Sequence, residues 1–182
     1  MNSEESLKLF EQRQSVRSYT NEPVEKDKLL RCIEAARLAP SANNAQPWKY
    51  IIIDDPELKN KVAQLASGEM LAINRFAVQA PVIITIVRER ANFMSNVGQT
   101  LKNKEFPLID IGISVIQFCL QASAEGLGTC ILGWFKEKKI KKLLGVPATK
   151  RLELMITVGY SNTEIRRKAR KETSEILSYN GY

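Results

Sequence analysis

Apolar and polar positions along the chain change period several times, and each change marks an element. Over residues 3–12, Leu7 and Phe10 stand three apart among charged neighbours, the spacing of one helix face, and Ser3 is placed to cap it. Between 25 and 38, Leu29, Leu30, Ile33, Ala36 and Leu38 recur at three- and four-residue steps, which predicts a second amphipathic helix ended by Pro40. The period then shortens. Residues 48–53, Trp-Lys-Tyr-Ile-Ile-Ile, read as a strand stopped by Asp54-Asp55-Pro56, and Pro56 opens a helix to about residue 66. Residues 81–87 form a second β-branched strand and 152–158 a third core strand. From 108 to 125 apolar residues lie on nearly every side, which predicts a helix buried all round, inside the domain or between subunits; Gly126 and Gly128 end it. A short basic helix follows over 136–144. The polar stretch 161–182 is long for a terminus and needs something to hold it. No repeat, linker or low-complexity segment interrupts the pattern. The expectation is one α+β domain over residues 1–182, with helices packed on both faces of a mixed sheet.

Composition narrows the function. Of the 182 residues 44% are apolar and 26% charged, values of an ordinary globular chain. The longest apolar runs, 81–87 and 107–120, read as too short or too polar for a bilayer span of about 20 residues. The start Met1-Asn2-Ser3-Glu4-Glu5 lacks the basic and apolar regions of a secretory signal, so a cytoplasmic protein without membrane contact is expected. Cys32, Cys119 and Cys130 sit among apolar neighbours and read as small buried hydrophobes. The chain has no histidine, which excludes Ser-His-Asp and Cys-His catalysis and imidazole-dependent zinc sites. Chemistry is therefore expected from a borrowed cofactor, with no metal. A net charge of +7 suits nucleic acid, an acidic membrane surface or a phosphate-bearing small molecule. It concentrates at Arg13 and Arg17, at Lys136, Lys138, Lys139, Lys141 and Lys142, and at Arg166, Arg167, Lys168, Arg170 and Lys171.

Three short segments carry candidate chemistry. In Arg-Gln-Ser-Val-Arg-Ser-Tyr (13–19), an extended backbone would point Arg13, Ser15 and Arg17 one way, two guanidinium forks and a hydroxyl for a phosphate, while Val16 turns inward. Alone, the segment reads more readily as a solvated turn between helices, since a basic cluster usually lies at the surface. In Ala-Pro-Ser-Ala-Asn-Asn-Ala-Gln-Pro-Trp (39–48), Ser41, Asn43, Asn44 and Gln46 offer donors and acceptors to a planar heterocycle, or simply make a helix-to-strand turn ahead of a core Trp48. In Glu-Gly-Leu-Gly-Thr-Cys-Ile-Leu-Gly-Trp-Phe (125–135) the glycines lack the dinucleotide-binding spacing. Gly133 would admit a ligand close to the backbone, and Gly126 reads as a helix cap.

In order and content these segments resemble the successive signatures of FMN-dependent nitroreductases, over about residues 9–176. The Pro-Ser-x-x-Asn-x-Gln-Pro-Trp pattern is the most specific part. The resemblance implies an α+β nitroreductase-like fold and a homodimer with FMN at its interface, the long apolar helix being central to that interface. It implies that Arg13, Gln14, Ser15 and Arg17 hold the FMN phosphate and ribityl chain and that Lys168 and Arg170 complete the phosphate site. Pro40, Ser41, Asn43, Asn44 and Gln46 would approach the flavin from the partner subunit. Ile131, Leu132 and Gly133 would lie along the ring, with the Gly133 N–H near flavin N5, and Asn74 would reach the pyrimidine edge. Ile131 stands where a tryptophan is common, and Glu172 where a proline follows the terminal basic pair.

The implied activity is ping-pong transfer from NADH or NADPH to nitroaromatics, quinones or similar small acceptors. The flavin carries the chemistry, so no protein residue is assigned as catalytic. A flavoprotein that binds FMN without turnover is the alternative. A basic nucleic-acid module is a further one, weakened because the chain lacks interleaved aromatics or a recognition helix.

Overall fold

The computed structural model describes residues 2–67, 73–89 and 104–182. Four strands, β1 (Trp48–Ile53), β2 (Val82–Arg88), β3 (Gly128–Leu132) and β4 (Arg151–Gly159), form one sheet in the order β1-β2-β4-β3. All three pairings are antiparallel. Parallel pairing, the other half of the mixed sheet expected, is confined among the described residues to a single bridge between Ser15 and Thr129. β3 is legible in the sequence only as an apolar stretch. It is five residues long and bounded by glycines, and its pairing with β4 makes it a strand.

The helices are α1 (Ser3–Gln12), α2 (Lys26–Arg37), α3 (Pro56–Ala66), α4 (Phe106–Ala124), α5 (Glu137–Leu143) and a short α6 (Thr173–Ile176) within the tail. The α1 cap is Asn2, not Ser3. The Asn2 side chain accepts from Glu5 N (2.9 Å) and Glu5 accepts from Asn2 N (2.8 Å), a reciprocal pair that satisfies two free donors.

β2 is central and buried on both faces, so its sequence is an unbroken apolar run rather than an alternation. Val82, Ile84 and Ile86 face a core completed by Leu29, Cys32 and Ala36 of α2 and by Ile111, Val115 and Phe118 of α4. Ile83 faces the opposite core, with Val62, Ala63 and Ala66 of α3 and Ile140 of α5. Each such fully covered aliphatic side chain contributes about 1.5–3 kcal/mol.

Within the single chain α4 is covered on one side only. One face packs on the sheet, but Leu108, Ile109 and Ile116 are 41, 53 and 39% exposed. By length and composition this helix could cross a membrane, against the sequence reading that the run was too short or too polar. It packs against the sheet and α2, and its Ser114 is satisfied there: Ser114 Oγ donates to Ala36 O (2.9 Å) and meets Tyr50 OH (2.8 Å). The basic helix α5 is not wholly a solvated face either. Lys141 is buried and its ammonium donates to the carbonyls of Ala148 and Lys150, while Lys138, Lys139 and Lys142 stay exposed.

Candidate functional site

The segment after α1 is extended from Arg13 onward, because the helix ends there with φ −60° and ψ 119°. It is fastened to the outer edge of β3: Val16 N donates to Thr129 O (2.9 Å), and the buried Tyr19 hydroxyl donates to Val16 O (2.9 Å) beside Thr157 Oγ1 (2.7 Å). Burial raises the Tyr19 phenol well above its ordinary range, so it stays a neutral donor. Val16 is buried as expected, but Arg13, Gln14 and Ser15 are all half-buried and Arg17 and Ser18 both exposed, so the strict alternation of an extended run is not seen. Burial pushes the Cys130 thiol up, and it is opposed by Arg17, Ser15, Arg13 and Arg166.

The tail runs back along the same segment. Gln14 Nε2 donates to Glu164 O (3.0 Å) and Gln14 Oε1 accepts from Arg166 N (3.2 Å). Arg166 Nη2 donates to Ser15 O (3.1 Å), and the Lys168 ammonium donates to Glu11 O. Arg166 and Lys168 thus dock on the main chain of the stretch that carries Arg13 and Arg17. Arg170 remains exposed and donates to its neighbour Ala169 O (2.6 Å). Among the described residues, no carboxylate pairs with Arg13, Arg17, Arg166 or Lys168.

The loop before β1 is preset rather than slack. Asn43, Asn44 and Gln46 all have positive φ, 51°, 52° and 46°, a region costly for residues with a side chain. Gln46 N donates to Ser41 Oγ (3.0 Å), Gln46 Nε2 to Asn44 Oδ1 (3.0 Å), and Ala42 N to the Asp110 carboxylate (3.1 and 3.2 Å). Asp110 is only 4% exposed. It is a site-shaping residue that the sequence reading missed, although a lone acid between Ile109 and Ile111 of an apolar helix was the signal. Pro40, Asn43, Asn44 and Gln46 present outward and Ser41 is half-buried.

The third segment ends β3. Ile131 is 38% exposed, whereas Leu132 packs into the core, so only its backbone can face a ligand. Gly133 is exposed and a methyl group added there would meet nothing within 4 Å, so the protein's own packing does not require glycine. Asn74 has φ 65°, and its Nδ2 donates to Trp134 O (2.9 Å), tying the turn after Gly133 to the chain entering β2.

One chain therefore joins two of the three segments. The 13–17 arm, the tail cations and the end of β3 share the β3 edge of the sheet. The 40–46 loop sits where β1 begins, at the opposite edge, about three strand spacings or roughly 15 Å across. The donor set at the β3 edge fits an anionic, planar ligand: unpaired cations, the Ser15 hydroxyl and an open backbone at Gly133. An FMN phosphate and ring have that chemistry.

Comparison with known proteins agrees. Residues 10–160 match the model of the Nitroreductase family. The chain is 28% identical over 200 aligned positions to MhqN of Bacillus subtilis, named as an NAD(P)H nitroreductase, covering 94% of this chain and 97% of that one. It is 26% identical to iodotyrosine deiodinase 1 of Pongo abelii, covering 89% of this chain and 63% of the deiodinase. Its fold matches an FMN-dependent nitroreductase of Clostridium difficile with a TM-score of 0.75 at 28% identity, over 97% of this chain and 99% of the other. With the family model spanning most of its length, and with the fold and the signature segments in agreement, the chain belongs to the nitroreductase family.

Proposed function

We propose that this protein is an FMN-dependent oxidoreductase that passes electrons from NADH or NADPH to nitroaromatics, quinones or similar small acceptors, in alternating half-reactions at one site. The observation that carries the reading is the arm of Arg13, Ser15 and Arg17, whose cations form no ion pair among the described residues, joined by Arg166 and Lys168, along a sheet edge that ends in the open backbone of Gly133. FMN, when bound, supplies hydride acceptance and electron delivery. The chain's own part is to bind and orient. Arg13, Ser15 and Arg17, with Lys168 and Arg170 of the tail, would hold the phosphate and ribityl chain. Ile131, Leu132 and Gly133 would offer backbone along the ring, with Asn74 fixing their turn.

The working unit is a homodimer. The 40–46 loop lies too far from the arm to complete the same site, so Pro40, Ser41, Asn43, Asn44 and Gln46 would serve the partner's cofactor. The apolar positions that α4 leaves uncovered, Leu108, Ile109 and Ile116, would be covered by the second copy. A single domain over 1–182 and a cytoplasmic location complete the reading, the latter supported by three buried, unpaired cysteines.

The test is the visible spectrum of the purified protein with its released chromophore identified, followed by NADH and NADPH oxidation with a quinone, a nitroaromatic and a halogenated phenol. Near-stoichiometric FMN and turnover with one donor are expected. A protein that takes up FMN but oxidises neither donor would be a carrier rather than an enzyme, and one that refuses FMN would overturn the flavin reading.

A further inference from the structure

Gln14 has a role that its place among cofactor ligands does not describe. In an extended chain the carbonyl of one residue and the N–H two residues on point to the same side. The Glu164 carbonyl and the Arg166 N–H are such a pair, flanking Ile165, and the Gln14 amide meets both: Nε2 donates at 3.0 Å and Oε1 accepts at 3.2 Å. A primary amide carries one donor and one acceptor face, like a peptide group, so it forms a ladder rung with the tail main chain. The next contacts outward, Arg166 to Ser15 O and Lys168 to Glu11 O, dock two further cations on the main chain of the stretch that carries Arg13 and Arg17.

That docking is electrostatically unfavourable by itself. Arg166 and Lys168 join the stretch that carries Arg13 and Arg17, none of the four is in an ion pair among the described residues, and like charges repel. An anion between them reverses the sign. The tail residues 161–182 are otherwise almost wholly exposed, so little apolar burial fastens them.

We propose, resting on the FMN reading above, that Gln14 is a positioning residue. Its amide latches the tail at residues 164 and 166 so that Arg166 and Lys168 complete an anion site with Arg13, Ser15 and Arg17. Phosphate binding and tail docking are therefore coupled.

The sequence builds in its own probe, since Arg166, Arg167, Lys168, Arg170 and Lys171 are all tryptic sites. The experiment follows tryptic cleavage within 166–171 on the full-length protein, free or loaded with FMN, riboflavin or inorganic phosphate, in wild type and Gln14→Met. In wild type, FMN slows cleavage and riboflavin, which lacks the phosphate, does not. In Gln14→Met, FMN affinity read by flavin fluorescence falls about tenfold, riboflavin affinity is unchanged, and the tail is cut quickly even at equal FMN occupancy. Equal losses for FMN and riboflavin would mean that Gln14 touches the ribityl chain or ring directly, and a Gln14→Met tail protected like wild type would mean that the latch lies elsewhere; either overturns the proposal. If wild type bound no flavin at all, the flavin reading would fail separately. The latch would still be judged by whether millimolar phosphate alone slows cleavage, and its failure to do so would overturn it.

Discussion

Thr85 lies at the centre of β2, fully buried, with no hydrogen-bond partner for its hydroxyl. A buried, unsatisfied hydroxyl costs about 1–3 kcal/mol. Thr85→Val removes it and keeps the branch, so stability in urea denaturation should rise by about 1 kcal/mol; a fall would show a hidden partner. Glu125 shows the opposite state of a polar group. The Arg31 guanidinium grips it through two bonds of 2.7 and 2.8 Å, joining α2 to the end of α4, and holds its carboxyl down at about 2 against an ordinary 4.5. A depressed folded-state value means that the contribution is fully present above about pH 4.5 and is lost as pH falls toward 2. The melting temperature of Glu125→Gln should therefore vary less with pH across that window than that of wild type. Equal slopes would deny the pair any role. Residue identity disclosed neither case, because a threonine in a strand run and a glutamate before a glycine look ordinary until their surroundings are known.

Two glycines, one opening β3 and one just past its end, separate packing from ligand access. At Gly128 an added methyl would lie 2.8 Å from Val16 Cγ2, so this glycine lets the 13–17 arm lie against β3. Gly128→Ala should cost about 1–3 kcal/mol by overpacking. Gly133 has open space, and Gly133→Ala should change stability by less than about 0.5 kcal/mol. Its effect should fall on flavin retention. Calorimetry with flavin titration on both variants checks the contrast, and a Gly133→Ala protein with wild-type FMN affinity would remove that glycine from the site. The helix α4 carries the corresponding test of assembly. Ile116→Glu places a charge on its uncovered apolar face, which costs a lone chain little. Sedimentation should then report a monomer with weakened FMN binding, whereas an intact dimer would move the interface to another face. The excess apolar content of α4 was readable from its composition, but which side stays bare depended on where the sheet lies.

At the scale of the whole molecule, the net charge of +7 is not spread evenly. Arg13, Arg17, Arg166 and Lys168, in no ion pair among the described residues, belong to the arm and tail that meet at the β3 edge. Screening length shrinks from about 10 Å to 3 Å between 0.1 and 1 M salt. FMN affinity should weaken several-fold over that range while riboflavin affinity holds steady. A common slope for both would show that the cations do not address the phosphate.

The sequence by itself determined the elements whose cause is local. The 3.6 period of apolar residues placed α2, Pro56 opened α3, and short β-branched apolar runs placed β1, β2 and β4, each within a residue or two. It also determined the donor inventory of the first two signature segments, since Arg, Gln, Ser and Asn side chains carry donors wherever they are placed. Only the tertiary structure decided which of them meet. β3 is a strand because β4 pairs with it, and the 13–17 arm is a cationic edge because that strand lies beside it. The 40–46 loop stands at the other side of the sheet because β1 is the opposite edge strand. Asp110 and Gln14 act on backbone groups 68 and 150 or more positions away, and hydrogen bonds across such separations leave no period in the sequence to be read.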